Sequence, residues 1–336
     1  MAWNRVAIIA ILASVWGCMM ASGALQEVSP MLLTHLGHVV VPLRSPDPDM
    51  DDADLRPLIP LLQGRRIVAM GEATHGTREF FQLKHRFFAF MVQRVGFRTF
   101  ALEARAQDVE PANAYAQRGA GSAEAAIRAL AEWPWETQEV VALLEWARRY
   151  NASVPERGRV QFRGIDFQGH NRDAHMAENL QMLAERGTQD GIFLWAHNAH
   201  VATSPGAMGA YLRRAYGQAY YVIGFEFDQG SFLSKSLAGA ITGTLRNYDV
   251  TPASPRYYAY ALARLPQPVA FLDFATAQHD PMVAAWLRAP HLSHQMDELY
   301  NVRRLREAWI TRDEAWPSLY DAIVFVRHTT ATRPLM

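Results

Sequence analysis

The chain alternates between apolar segments and segments with the periodicity of amphipathic helices. Seven apolar segments are predicted to form strands, and most are continuously apolar, which is typical of strands buried on both faces. They are Arg65–Glu72, Phe97–Ala104, Arg159–Phe167, Gly191–His197, Tyr220–Phe227, Pro268–Phe274 and Tyr320–His328. The pattern predicts an α/β fold, a mostly parallel sheet flanked by helices on both faces.

Helical periodicity fills several of the connections between these strands. Residues Arg78–Val95 place apolar side chains at helical spacing, so the first unit is predicted to be strand, helix, strand. Further helices are predicted for Ser122–Trp133, Thr137–Asn151 and Arg172–Arg186. We find neither an internal repeat nor a low-complexity linker, and interpret residues 24–336 as one domain.

The first residues have the pattern of an export signal. Arg5 precedes the apolar segment Val6–Met20, and small residues follow it. We interpret residues 1–23 as a signal peptide, and expect a periplasmic or secreted protein without a stable membrane span. One alternative is an uncleaved anchor, because the apolar segment is close to the lower length limit for crossing a bilayer. The other is a lipoprotein attached through Cys18.

Composition and absent motifs exclude several classes of protein. Cys18 is the only cysteine, so the mature chain has neither a disulfide nor a thiolate nucleophile or metal ligand. The formal net charge of zero gives no reason to expect a nucleic acid or an anionic membrane as partner, and favours a small organic substrate. The chain has no nucleophile elbow, phosphate-binding loop, dinucleotide fingerprint or H-E-x-x-H motif. The remaining candidate chemistry is the activation of water by histidine and carboxylate side chains.

Ionisable residues stand at or just beyond the ends of four consecutive predicted strands. Open α/β sheets bind ligands beyond the carboxyl ends of their strands, so these side chains are expected to meet. They are Glu72, His75, Glu103, Asp166, His197 and His200. Each alone has a structural interpretation: Glu72 can interact with a helix start, Glu103 can pair with Arg105, and Asp166 can close a turn. The set as a whole favours a hydrolytic site.

Seven blocks of sequence resemble the erythromycin esterase family, from about Leu43 to near the C-terminus. In order they are GEATHGTREFFQLKHRFF, GFRTFALEA, WPWETQEVVALLEWARRYN, GIDFQ, RDAHMAENL, LWAHNAHV and YDAIVFVRHTTAT. The G-E-x-x-H-G and A-H-N-A-H blocks are specific in combination. The resemblance implies hydrolysis of a macrolide lactone or related ester on an α/β fold, without a covalent nucleophile, metal or other cofactor.

The resemblance also implies roles for individual residues. The catalytic set is His75, Glu72, Glu103 and His197, and the substrate-binding set is His200, Arg172 and Lys84. His75 falls on the family's water-activating histidine. Lys84 stands where some members carry arginine, and a lysine there loses bidentate geometry.

The chain departs from the family between the GIDFQ and RDAHMAENL blocks. Family members usually carry a long helical segment there that helps to build a deep substrate cleft. Here only Gly169, His170 and Asn171 join the two blocks. The catalytic floor is therefore expected to remain while much of a wall or lid of the cleft is missing, which argues against a fixed macrolide specificity.

We hypothesise that neutral His75 accepts a proton from water as that water attacks an ester carbonyl. Glu103 or Glu72 would orient the imidazole. His197, with His200 or Arg172, would stabilise the oxyanion or protonate the leaving alcohol.

Two other functions fit the same residues. A metal-dependent hydrolase or protease, similar to the Tiki type, would use Glu72, His75, His197 and His200 as ligands. A non-catalytic envelope protein would use the opened cleft only to bind a ligand.

Overall fold

The computed structural model describes residues 28–186, 190–238, 241–296, 299–300 and 311–336. The predicted signal peptide, residues 1–23, and Cys18 lie outside the described residues. Within those ranges, none of the helices combines the length and the apolar character needed to cross a membrane.

Helices and strands alternate along most of the described chain. The strands are β1 (Val41–Leu43), β2 (Ile67–Met70), β3 (Thr99–Arg105), β4 (Gln161–Asp166), β5 (Ile192–Trp195), β6 (Tyr220–Ala238), β7 (Ile241–Val250), β8 (Val269–Asp273), β9 (His291–His294), β10 (Leu299–Tyr300), β11 (Thr311–Glu314) and β12 (Ala322–Thr329). The helices are α1 (Pro30–Val39), α2 (Ile59–Leu62), α3 (Arg78–Arg94), α4 (Ala106–Arg118), α5 (Ala123–Arg128), α6 (Gln138–Ser153), α7 (Arg172–Arg186), α8 (Asn198–Val201), α9 (Met208–Tyr216), α10 (Tyr258–Leu262), α11 (Phe274–Ala277) and α12 (Pro281–Arg288).

One mixed sheet forms the centre of the fold. In the described ranges it has ten strands, with the path β1-β8-β12-β6-β2-β5-β3-β4 and with β7 and β10 paired to β6. The pairs from β12 through β6, β2, β5 and β3 to β4 are all parallel. Strands β8, β1 and β7 are antiparallel to their neighbours. The predicted α/β fold with a mostly parallel sheet is therefore confirmed, with antiparallel additions along one edge and on β6.

Alternate side chains of the central strands enter two different hydrophobic cores. On β2, Val68 and Met70 pack into the core that contains α3, α4, α5 and α6. Ile67 and Ala69 pack into the core that contains α1, α7, α9, α10 and α12. Successive residues of a strand point to opposite faces, so a strand covered on both faces needs an uninterrupted apolar sequence. This explains why the sequences of the predicted strands are continuously apolar and do not alternate between apolar and polar residues.

Every predicted strand segment contains a strand, and the helix predicted for Arg78–Val95 is α3, which ends at Arg94. The largest departure concerns β6, which continues past Phe227 to Ala238 and pairs with β7 in a long antiparallel arm. The arm lies where the sequence pattern gave no strand signal, since the exposed β7 lacks a continuous apolar sequence. It reaches the region beyond the carboxyl ends of β2 and β12.

Candidate active site

The turn after β2 carries Glu72 and His75 between two glycines that are closely packed against other segments. A Cβ on Gly71 would collide with the side chain of Asn198, and one on Gly76 would collide with the backbone of Leu233. The carbonyl of Gly76 accepts hydrogen bonds from the backbone N–H groups of Leu233 (3.0 Å) and Thr332 (2.9 Å). The turn is therefore tied to two other segments, and this fixes the position of His75.

Glu72 is fully buried and its two carboxylate oxygens are shared among three side chains. Oε1 lies 2.7 Å from Nδ1 of His75. Oε2 accepts from Nζ of Lys84 at 2.6 Å and from the indole Nε1 of Trp195 at 2.8 Å. Burial alone would raise the pKa of Glu72, but Lys84 and His75 more than offset it and leave the pKa lowered. Glu72 is therefore ionised, and this anion orients the imidazole of His75.

Lys84 differs from its predicted role. The family resemblance implies that Lys84 contacts the substrate, whereas its side chain is fully buried in α3, beneath Glu72. Its ammonium also lies over the ring of Trp195, 4.4 Å from the centroid. Burial lowers the pKa of Lys84 to about 8, against the opposing effect of Glu72. Lys84 holds the carboxylate behind His75 and does not reach the open part of the site.

Glu103, near the end of β3, and Arg172, at the start of α7, form the second ionic group. The Arg172 Nη2 donates to Glu103 at 2.8 Å, and its Nε donates to Asp166 at 2.7 Å. The other oxygen of Glu103 accepts from the backbone N–H of His197 at 2.8 Å. Although burial would raise the pKa of Glu103, His200, His75 and Arg172 hold it well below its usual range. Glu103 is therefore an anion fixed between β3, β5 and α7.

His200 has a partner for either protonation state. Its Nδ1 lies 2.8 Å from Asp173, and its Nε2 lies 3.0 Å from Nη1 of Arg172 and 3.2 Å from Glu103. Neutral His200 can accept from the guanidinium at Nε2, and protonated His200 can donate to Glu103. Burial lowers the pKa of His200, but the charges of Glu103 and Asp173 outweigh it, so the net pKa is raised. His200 can therefore both hold and release a proton.

His197 stands beside His75 at the start of α8. The two ring centroids are 4.8 Å apart. Nδ1 of His197 accepts from the backbone N–H of Ala199 at 3.3 Å, and Nε2 lies 3.1 Å from the carbonyl oxygen of Met296. These contacts select the tautomer that donates from Nε2. His197 thereby supports the wall next to His75, and its backbone N–H fixes Glu103.

These groups border a cavity of about 360 Å³. The residues that line it are His75, Glu103, Ala131, Glu132, Trp133, Pro134, Trp135, Asp166, Gln168, Arg172, His200 and Lys235. Glu72, Lys84 and His197 stand behind this lining. The volume lies at the lower end of the range of about 300–1,000 Å³ that is usual for small-molecule sites. The cavity therefore suits a small organic molecule next to the imidazole of His75.

One wall comes from the loop that precedes α6. The Thr137 side chain caps α6, and the neighbouring backbone N–H of Gln138 donates to the carbonyl of Arg333 at 2.8 Å. Trp135 is buried, with its ring centroid 5.6 Å from that of Trp195. Trp133 and Trp135 thus line the cavity, whereas Trp195 packs beneath it against Phe81.

The connection from β4 to α7 is short. β4 ends at Asp166, α7 begins at Arg172, and the intervening Asn171 has a positive φ of 58°. Asparagine tolerates this conformation better than most residues. The shortness of the connection agrees with the missing helical segment inferred from the sequence.

Four charged or amide-bearing residues that line the cavity have no predicted catalytic or substrate-binding role. Glu132 and Gln168 lie in loops, and Asp166 is one of the strand-end residues that are expected to meet, but it has no predicted role of its own. Lys235 lies on β6 beyond the predicted end of that strand. A signal for Lys235 exists in the sequence, because Lys84 and Lys235 are the only lysines among 33 basic residues, and both belong to this region.

The metal-dependent alternative requires several ligating side chains around one point. Within the described ranges, no group of three or more histidine, cysteine, aspartate and glutamate side chains is arranged to hold a metal ion.

A model of the erythromycin esterase family matches residues 92–171 and 167–329 of this chain. Erythromycin esterase type II of Escherichia coli is 32% identical over 130 residues, which are 39% of this chain and 30% of the relative. The aligned part thus covers less than a third of that relative. The two matched segments overlap at residues 167–171. This overlap includes the connection that is predicted to be shortened.

Several solved structures share the fold. A Bacillus cereus protein has a TM-score of 0.82 and 18% identity, over 93% of this chain and all of its own. A succinoglycan biosynthesis protein has a TM-score of 0.80 and 19% identity, over 92% of this chain and 99% of its own. A mutant of the erythromycin esterase EreC in its open conformation has a TM-score of 0.61 and 14% identity, over 92% of this chain and 98% of its own. At these identities the likeness concerns the fold.

Proposed function

Because this chain belongs to the erythromycin esterase family, we propose that it hydrolyses a small ester or lactone by water that His75 activates. The observation that carries the proposal is the 2.7 Å contact between Nδ1 of His75 and the buried carboxylate of Glu72, at the floor of a cavity of about 360 Å³. A histidine that is oriented by a buried carboxylate and borders an open site is the arrangement of a general base.

The proton transfers follow from the tautomer of His75. When Nδ1 donates to Glu72, the lone pair of the neutral imidazole is on Nε2. Nε2 accepts a proton from water as the water oxygen bonds to the ester carbonyl carbon. Glu72 stabilises the resulting imidazolium. Base catalysis of this kind contributes about 10² to 10⁴-fold to the rate.

The opposite side of the site supplies a cation and an acid. The guanidinium of Arg172 and a protonated His200 both border the cavity, where they can stabilise negative charge on the carbonyl oxygen of the tetrahedral intermediate. When the intermediate collapses, the bond from the carbonyl carbon to the alcohol oxygen breaks. His200 donates a proton to that oxygen, so that an acid and an alcohol leave. Asp166 and Glu103 hold Arg172 in place, and Asp173 holds His200.

The size of the cavity favours substrates smaller than a macrolide. The short connection between β4 and α7 leaves the site with one wall from the Trp133–Trp135 loop and another from β6. We propose simple esters and small lactones as the better substrates, with macrolide lactones as the alternative within the same chemistry.

The test is hydrolysis of a panel of simple esters, lactones and macrolides by the purified protein, with and without a chelator. His75→Ala is expected to lose at least about a hundredfold in kcat/KM. His279→Ala, which changes an exposed histidine, is the matched control. Equal turnover by His75→Ala and the wild type would refute the assignment of the base. Activity that the chelator abolishes would point to the metal-dependent alternative, and saturable ligand binding without turnover would point to a binding protein.

We further propose that the protein is exported. This rests on the charged, apolar and small-residue order of the first 23 residues. Sequencing the N-terminus of the protein recovered from the envelope and culture fractions of an expressing bacterium is the test. A mature N-terminus near residue 24 supports export, one at a lipidated Cys18 supports anchoring, and an intact Met1 in the cytoplasmic fraction contradicts both.

A further inference from the structure

The lysines of this chain stand out because it otherwise uses arginine as its basic residue. Of 33 basic residues only Lys84 and Lys235 are lysines. Lys84 is fully buried and pairs with Glu72. Lys235 lies half-buried on β6 and lines the same cavity as His75. The role of Lys84 is accounted for by its carboxylate partner, whereas that of Lys235 is not.

The ammonium of Lys235 makes neither a hydrogen bond nor an ion pair with any residue in the described ranges. The other permanent cation of the cavity, Arg172, donates to both Asp166 and Glu103. A cation that is partly removed from water loses solvation, and an anion brought to it restores that loss. Lys235 is therefore the group of this cavity whose charge is left for a ligand to neutralise.

The backbone of Lys235 is held on both sides. It pairs with Leu245 of β7 and with Leu299 of β10. A side chain mounted on a strand between two others is positioned more firmly than one on a loop. Because Lys235 and His75 border one cavity of about 360 Å³, one small molecule can reach both.

The charges on the remaining lining indicate which anion fits. Glu103, Glu132 and Asp166 also border the cavity, and they repel a doubly charged phosphate more strongly than a singly charged carboxylate. A single ammonium acts as a point charge that matches one carboxylate without a requirement for bidentate geometry.

We propose that Lys235 binds a carboxylate on the substrate, so that the enzyme prefers esters carrying an acidic group over neutral esters. The simplest such molecule is a half-ester of a short dicarboxylic acid, with its free carboxylate at Lys235 and its ester carbonyl beside His75. This inference rests on the proposed hydrolase function for its catalytic part. The binding of the carboxylate does not depend on turnover.

The first experiment compares two chromogenic esters whose acyl chains have the same length, the para-nitrophenyl half-ester of glutaric acid and para-nitrophenyl pentanoate. The quantity measured is the ratio of kcat/KM for the acidic ester to that for the neutral one. Lys235→Met is expected to lower this ratio by about tenfold to a hundredfold, the range for a lost hydrogen bond to a charged group. Lys235→Arg is expected to keep most of the preference for the acidic ester. Arg246→Met, which removes a charge from the exposed strand β7, is the matched control for net charge.

The second experiment measures binding of free glutarate to His75→Ala protein through the fluorescence of Trp133 and Trp135, which line the cavity. The double variant His75→Ala, Lys235→Met is expected to bind glutarate about tenfold to a hundredfold more weakly than His75→Ala alone. Equal ratios in the wild type and in Lys235→Met, together with glutarate binding that is independent of Lys235, would overturn the proposal. Glutarate binding that depends on Lys235 in a protein that hydrolyses neither ester would support the carboxylate site and refute the hydrolase function.

Discussion

Glu72 and Lys84 form an ion pair of 2.6 Å in which neither side chain is accessible to solvent. A buried ion pair is seldom kept for stability, because removing both charges from water costs about as much as their attraction returns. Here the other oxygen of Glu72 contacts His75 at 2.7 Å. The pair therefore has a second use, which is to keep an anion fixed behind the imidazole.

Glu72→Gln is expected to lower kcat by about 10² to 10⁴-fold, because His75 loses the anion that orients it and stabilises its protonated form. The same change leaves the ammonium of Lys84 buried without a counter-charge. The free energy of unfolding is therefore expected to fall by about 3–5 kcal/mol. Denaturant unfolding and steady-state kinetics on the same preparation measure the two effects.

A double variant separates stability from catalysis. Glu72→Gln combined with Lys84→Met removes both charges, so most of the lost stability is expected to return while kcat stays low. Recovery of kcat together with stability would show that the Glu72 carboxylate is a structural group and not the orienting partner of His75.

Arg172 links two strand ends through one planar group. Its guanidinium donates to Asp166 and to Glu103 at 2.7–3.0 Å, which an ammonium cannot reproduce with the same directions. Arg172→Lys is therefore expected to lower kcat/KM by about tenfold to a hundredfold, a loss of roughly 1.4–2.8 kcal/mol of transition-state stabilisation. Arg186→Lys, at the exposed end of the same helix, is the control. Full activity of Arg172→Lys would mean that charge alone suffices at this position.

The sequence predicts the parts of this site that follow from strand order, and misses those that depend on tertiary contacts. Glu72, Glu103 and His197 are expected to meet because each stands near the carboxyl end of a strand with a continuous apolar sequence, and β2, β5 and β3 are indeed adjacent. The burial of Lys84 was missed, since the position of a cation on a helix does not show whether it faces the cavity or the core. Lys235 was missed because polar residues interrupt the sequence of β6 beyond Phe227, so this part lacks the continuous apolar signal of a strand.

The pH dependence of activity is expected to reflect the protonation of His200. Its carboxylate neighbours raise its pKa, so it remains protonated to higher pH than an ordinary histidine. A group that must donate a proton is active below its pKa, and kcat/KM is therefore expected to fall as the pH rises through that value. His200→Gln is expected to lower the maximal rate and to remove this alkaline limb.

The pH profile distinguishes proton donation from simple support of Arg172. Gln can still accept a hydrogen bond from the guanidinium, so a supporting role alone would leave the alkaline limb of His200→Gln at the same pH as in the wild type. The measurement is kcat/KM for one ester over a pH range in which circular dichroism shows the variant to be folded. An unchanged limb would exclude His200 as the acid.

His85 makes the folded state sensitive to acid at a distance from the cavity. It lies in α3 against Trp146, with its Nε2 buried and without a hydrogen-bond partner in the described ranges. Burial, with a smaller effect of Arg149, lowers the pKa of His85 to about 3. In the unfolded chain a histidine titrates near pH 6.5.

Between these two values the unfolded state binds more protons than the folded state, so the free energy of unfolding falls as the pH is lowered. The contribution of His85 is complete above about pH 6.5 and is lost at about 1.4 kcal/mol per pH unit as the pH falls toward 3. His85→Gln, which carries no proton at any pH in this range, is expected to show a shallower decline in urea unfolding between pH 6.5 and 4. His279→Gln changes an exposed histidine and is expected to leave the slope as in the wild type. If His85→Gln and the wild type lose stability at the same rate, His85 is not the residue that couples folding to acid, and the decline belongs to the buried carboxylates.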